Sequence, residues 1–84
     1  MNWTVIIDSR AEKRLRRFPT KDYERIRSTI NAMELDPFFG DIEKLTGENS
    51  WRRRVGNYRI FYEIFREERL IDVYDIQRRT SSTY

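Results

Sequence analysis

The 84-residue chain is 38% hydrophobic, 14% aromatic and 37% charged, which suits one modest core, so residues 1–84 are read as one domain. It has no cysteine, which excludes disulfides and thiolate metal sites. It also has no histidine, so the commonest metal ligand and the usual general base near neutral pH are missing, and metal-free, cofactor-free chemistry is expected.

Trp3 to Ile7, rich in β-branched and aromatic side chains, predicts a first strand. Ser9 and Glu12 have capping-box spacing and start a helix that ends near Phe18-Pro19, with Ala11, Leu15 and Phe18 on one stripe. Thr20 is read as the cap of a second helix, whose inward stripe is Tyr23, Ile26, Ile30 and Met33. Asp36-Pro37 stops it, because a residue before proline is pushed out of the helical region. With only a residue or two between them, the helices are expected to form an antiparallel hairpin.

Phe38 to Ser50 reads as a loop containing Gly40 and Gly47. Three strand-like runs follow: Trp51–Val55, Tyr58–Phe65 and Leu70–Ile76. Gly56-Asn57 favours a tight hairpin turn between the first two, and Arg66-Glu67-Glu68-Arg69 is a fully polar turn between the last two. The expected fold is α+β: an N-terminal strand, an antiparallel helical hairpin, then a three-stranded antiparallel meander, with the helices on one sheet face. No apolar run approaches the roughly 20 residues of a membrane span, and no charged-then-apolar leader opens the chain. A cytoplasmic location is expected.

The net charge is +3, the pI about 9.5, and arginine far outnumbers lysine. Guanidinium forks suit phosphate oxygens, so an anionic partner is expected. Strand alternation separates the arginines. Trp51, Arg53 and Val55 share one face of their strand, and Arg52 and Arg54 share the other. On the next strand Tyr58, Ile60, Tyr62 and Ile64 form the apolar set, which leaves Arg59, Phe61, Glu63 and Phe65 on the helix-free face. The Gly56-Asn57 hairpin can bring Arg52 or Arg54 near Arg59, and Arg78 and Arg79 are read as following directly after the last strand. A groove of arginines and rings suits single-stranded RNA, with phosphates on the forks and bases on the rings. Arg53 reads as structural or solvated, and Trp51 as core. The helix cations Lys13, Arg14, Arg16 and Arg17 read as a solvated face, with ribosomal RNA contact as the alternative.

Lys44-Leu45-Thr46-Gly47, Trp51-Arg52-Arg53-Arg54-Val55 and Gly56-Asn57-Tyr58-Arg59-Ile60-Phe61-Tyr62-Glu63-Ile64 together resemble the RelE/ParE toxin superfamily. So does the ending Val73-Tyr74-Asp75-Ile76-Gln77-Arg78-Arg79, closed by Tyr84. The resemblance implies a toxin of a type II toxin–antitoxin pair, held inactive by a cognate antitoxin protein in a hetero-oligomer. RelE-like members are ribosome-dependent endoribonucleases (mRNA interferases) that cut mRNA in the ribosomal A site and so inhibit translation. ParE-like members instead poison DNA gyrase. Carried over by position, Arg52, Arg54, Arg59, Arg79 and Tyr84 form the implied catalytic set, and Lys44, Arg78 and Phe61 are implied RNA contacts.

Such a set can run one reaction. The ribose 2′-hydroxyl attacks the adjacent phosphorus, giving a 2′,3′-cyclic phosphate and a free 5′-hydroxyl, while guanidiniums stabilise charge on the non-bridging oxygens. The proton acceptor stays open between Tyr84 and a purely electrostatic and positional mechanism. A ParE-like gyrase inhibitor and a non-catalytic RNA-binding module are the alternative readings.

Overall fold

The computed structural model describes residues 2–47 and 49–79, and Tyr84 lies outside them. The described elements are β1 (Thr4–Ile7), α1 (Ser9–Arg16), α2 (Thr20–Ala32), β2 (Ile42–Lys44), β3 (Ser50–Val55), β4 (Tyr58–Phe65) and β5 (Leu70–Arg78). Five strands make one sheet in the order β1-β5-β4-β3-β2. β1 runs parallel to β5, and the other neighbours are antiparallel. The expected α+β fold is present: the N-terminal strand lies beside β5 at one side of the meander, and β2, which was not expected, lies at the other.

Four details differ from the sequence reading. The segment read as a loop contains β2, which pairs Ile42 with Arg53 and Lys44 with Trp51. Asp8, not Ser9, caps α1; its carboxylate accepts from the Ala11 backbone N–H at 3.1 Å and satisfies one of the free donors of the first turn. Thr20 is the first residue of α2 and not its cap; the cap position is Pro19, which gives no side-chain hydrogen bond. α2 ends at Ala32, before Asp36-Pro37, as Met33, Glu34 and Leu35 each donate three residues back in a tightened last turn.

Both helices lie against the sheet face that carries Tyr58, Ile60, Tyr62 and Ile64, all buried, while alternate residues of β4 are half-buried. Ala11 and Leu15 of α1, and Ile26 and Ile30 of α2, are fully or almost fully buried against this face. Tyr23 is only half-buried at the rim. The period-two and period-3.6 patterns therefore meet in one core, and among the described residues no helix lies over the opposite sheet face.

The loop before β2 is fixed by Arg53, the residue read as structural. Its Nη1 donates to the Phe39 carbonyl at 3.1 Å and its guanidinium lies 4.2 Å from the Phe39 ring centroid. Gly40 has φ +85°, and an added Cβ would sit 2.5 Å from Arg53 Cζ. Gly40→Ala is expected to cost about 1–2 kcal/mol for the left-handed backbone alone, plus displacement of the clamp. Gly47 has φ +112° with only Ser50 Oγ nearby, at 3.9 Å, so Gly47→Ala isolates the backbone cost. Denaturant midpoints of the two variants measure the difference.

Tyr62 is fully buried, and its hydroxyl donates to the Pro37 carbonyl at 3.2 Å. Burial pushes its phenol up to about 12, against a smaller opposing effect of Arg53. An unfolded tyrosine ionises near ~10. The folded-state value is raised, so this contribution is intact below ~10 and is lost as pH rises from there toward 12. Urea midpoints are expected to fall over that window, and less steeply for Tyr62→Phe.

Candidate functional site

The helix-free face collects the arginines by register. Arg52 stands opposite Phe61 and Arg54 opposite Arg59 across β3 and β4, and Gln77 of β5 flanks Arg59 on its other side. Directly opposed residues share a face, so Arg52, Arg54, Arg59 and Gln77 project together. The β3–β4 turn makes this register. Gly56 has φ +58°, and Asn57 is not among the positive-φ residues, the pattern of a II′ turn with glycine first. The Arg79 backbone N–H donates to the Asn57 carbonyl at 2.6 Å, which ties the chain after β5 to the same turn.

These cations act on one another. The Arg59 guanidinium is held below the ordinary arginine value by desolvation first, then by Arg52, Arg79 and Arg54, with Glu43 acting in the opposite direction. Two carboxylates offset part of the repulsion. Arg52 contacts Glu43 of β2, and Arg54 Nε lies 3.7 Å from Asp41, an exposed pair of modest strength. Among the described residues, Arg59 and Arg79 form no ion pair.

The other sequence-stated residues divide. Phe61 is on this face, its ring 6.3 Å from that of Tyr74. Lys44 stands opposite Trp51 and so on the other face from Arg52; its Nζ donates to the Leu45 and Gly47 carbonyls and lies 5.9 Å from the Trp51 ring centroid. Arg78 is the last residue of β5 and not a residue beyond it. It opposes Tyr58, and its guanidinium lies 5.9 Å from that ring on the helix-bearing side. Trp51 is half-buried against the core, edge-on to Phe38 at 5.6 Å.

Sequence reasoning missed Asp41, Glu43 and Gln77. Gln77 is held by Asp75, a nearly buried carboxylate that accepts from Gln77 Nε2 and from the Ile76 N–H, each at 2.9 Å. Alternation along the last strand was a usable signal for Gln77. A three-residue strand leaves almost no periodic signal for Glu43.

Two helices packed on one face of a five-stranded mixed sheet are the fold of the solved RelE toxins. The chain belongs to the family of ParE toxins of type II toxin–antitoxin systems, whose family model matches residues 5–82. A chain of the archaeal RelE-RelB complex from Pyrococcus horikoshii superposes with a TM-score of 0.86 at 25% identity, covering 98% of this chain and 100% of the other. The RelBE2 toxin–antitoxin complex of Mycobacterium tuberculosis shares the fold, with a TM-score of 0.80 at 18% identity over 94% and 100% of the two chains. A curated protein of Methanocaldococcus jannaschii that bears the toxin name RelE1 is 28% identical over 83 residues, 94% of this chain and 92% of its own.

Proposed function

We infer that the protein is a ribosome-dependent mRNA endonuclease, and that its substrate strand lies on the helix-free sheet face. The observation that carries this reading is the gathering of Arg52, Arg54 and Arg59 on the helix-free face, with Arg54 directly opposite Arg59 and the Arg79 backbone tied to the same β3–β4 turn. Cations gathered closely enough to disfavour one another's charge are stabilised by a polyanion, and most by the added charge of a phosphorane-like transition state. Binding a protein target such as gyrase gives no reason to place them so.

In this mechanism Arg59 and Arg79 engage the non-bridging oxygens of the scissile phosphate, while Arg52 and Arg54 hold the flanking strand. Phe61 and Tyr74 offer rings to a base. Attack by the 2′-hydroxyl requires no metal, and DNA lacks the nucleophile. Arginine stays protonated in proteins and cannot take the proton. We propose Glu43, the ion-pair partner of Arg52, as one candidate acceptor, beside Tyr84, the acceptor drawn from the resemblance. Glu43→Gln is expected to lower the cleavage rate while leaving RNA affinity within a few-fold; unchanged cleavage removes it from this role.

The relatives solved as RelE–RelB and RelBE2 complexes support an antitoxin partner for this chain too. Ile6, half exposed, and the half-buried Phe61, Phe65, Leu70 and Tyr74 lie on the open face, so a protein lying there would cover both apolar surface and the arginines. Inducing the protein and mapping RNA ends tests the reading. Cuts at codon positions in translated messages are expected. DNA-damage signalling with intact messages would instead support gyrase poisoning, the reading attached to the ParE name.

A further inference from the structure

Arg78 and Arg79 are neighbours in sequence and opposed in space. Arg78 closes β5 opposite Tyr58 of β4, on the helix-bearing side, and alternation turns Arg79 back to the arginine face. Arg79 extends the strand pairing by one bond, from its N–H to the Asn57 carbonyl at 2.6 Å, and its charge acts on Arg59. Chain ends fray unless something ties them down.

Arg78 supplies a tie. Among the described residues it forms no ion pair. Its guanidinium instead stands over the Tyr58 ring, 5.9 Å from the centroid, within cation–π reach.

That ring is itself fixed. Tyr58 is 5% exposed, and Phe18, from the link between the helices, lies 4.6 Å from it, centroid to centroid. The Tyr58 hydroxyl donates to Asp22 Oδ2, in the first turn of α2, at 2.7 Å. Burial and then the Asp22 bond push this phenol up, while Arg78 acts against them, so its charge is felt at the ring. Arg25, three residues further along α2, reaches the β3–β4 turn, where its Nη1 would lie 2.9 Å from a Cβ added at Gly56. The start of α2 thus braces the turn to which Arg79 is bonded.

A direct phosphate contact fits Arg78 less well. The sheet separates it from Arg52, Arg54 and Arg59, so a strand lying on those three would not meet it.

We propose that Arg78 is a positioning residue and not an RNA contact: seated on the Phe18–Tyr58–Asp22 brace, it fixes the end of β5 and so holds Arg79 on the arginine face. The inference rests on the cleavage reading above for the task of Arg79, but not for the brace itself.

The test compares the full chain with Arg78→Gln, which removes the cation, and Arg78→Lys, which keeps one. Amide exchange is read by nuclear magnetic resonance. In Arg78→Gln the protection factor of the Arg79 N–H is expected to fall by about 2- to 5-fold, the factor for an exposed cation–π contact, and Arg78→Lys should recover most of it. Unchanged protection at Ile60 and Ile64 shows that the fold is intact. In single-turnover cleavage Arg78→Gln is expected to lower the maximal rate by roughly 3- to 10-fold, less than a full 1 Å displacement costs. The RNA concentration at half-maximal rate should stay within about twofold. In an Arg79→Ala background the same change should alter cleavage by less than about twofold, because nothing is left to position.

Unchanged protection of Arg79 would overturn the proposal. So would an equal loss in the Arg79→Ala background, or weaker RNA binding at an unchanged maximal rate, either of which makes Arg78 a direct contact. Should the parent chain cleave no RNA, the nuclease reading fails, and the protection factors still decide whether the brace holds Arg79.

Discussion

Arg59→Ala is expected to reduce RNA cleavage by about 10²- to 10³-fold and abolish growth arrest, with far-ultraviolet dichroism and thermal midpoint close to those of the parent. Removing one preorganised donor to a developing oxyanion costs rates of this order. Arg59 lies on the half-buried face of β4, flanked by Arg54 and Gln77, and forms no ion pair among the described residues that its loss would orphan. The change also relieves repulsion with Arg52, Arg79 and Arg54, so stability should hold or rise slightly. Arg59→Lys keeps a charge but loses the fork, and intermediate activity is expected. Full toxicity of Arg59→Ala would remove the residue from the site.

Ile60→Ala, one position along the same strand, should have the opposite profile. Ile60 is fully buried, pairs with Arg53 and Ile76 on its two sides, and faces the helices. Truncating a core isoleucine costs about 2–5 kcal/mol, with the larger values where the cavity cannot collapse. For a domain of this size that corresponds to a fall of roughly 10 °C or more in thermal midpoint. Cleavage per folded molecule should change little. Thermal denaturation with activity normalised to folded protein separates the two neighbours; a midpoint within about 2 °C of the parent would contradict the core assignment.

The two faces of β4 were legible because a strand alternates strictly and its apolar set is unbroken from Tyr58 to Ile64. That alternation, together with the Gly56-Asn57 turn, is enough to put Arg52, Arg54 and Arg59 on one face, as the register shows. The parallel pairing of β1 with β5 was not legible, since it joins residues more than 60 apart and leaves no local pattern. β2 was too short to read. Arg78 was placed beyond a strand that in fact includes it, and its opposition to Tyr58 turns it to the helix side. The register shift between Phe61 and Tyr62 lies in the same strand pair, and no sequence signal marked it. Asp8 and Ser9 are both good caps, and only the Asp8 hydrogen bond to Ala11 decides between them.

The central claim is that the arginine face promotes attack by a ribose 2′-hydroxyl. The most direct measurement is the chemistry of the ends produced on a message bound to programmed ribosomes. The account expects a 2′,3′-cyclic phosphate on the upstream fragment and a 5′-hydroxyl on the downstream one, and no cut where the ribose at that position is 2′-deoxy. A 5′-phosphate with a 3′-hydroxyl, or cleavage that survives the deoxy substitution, would contradict it.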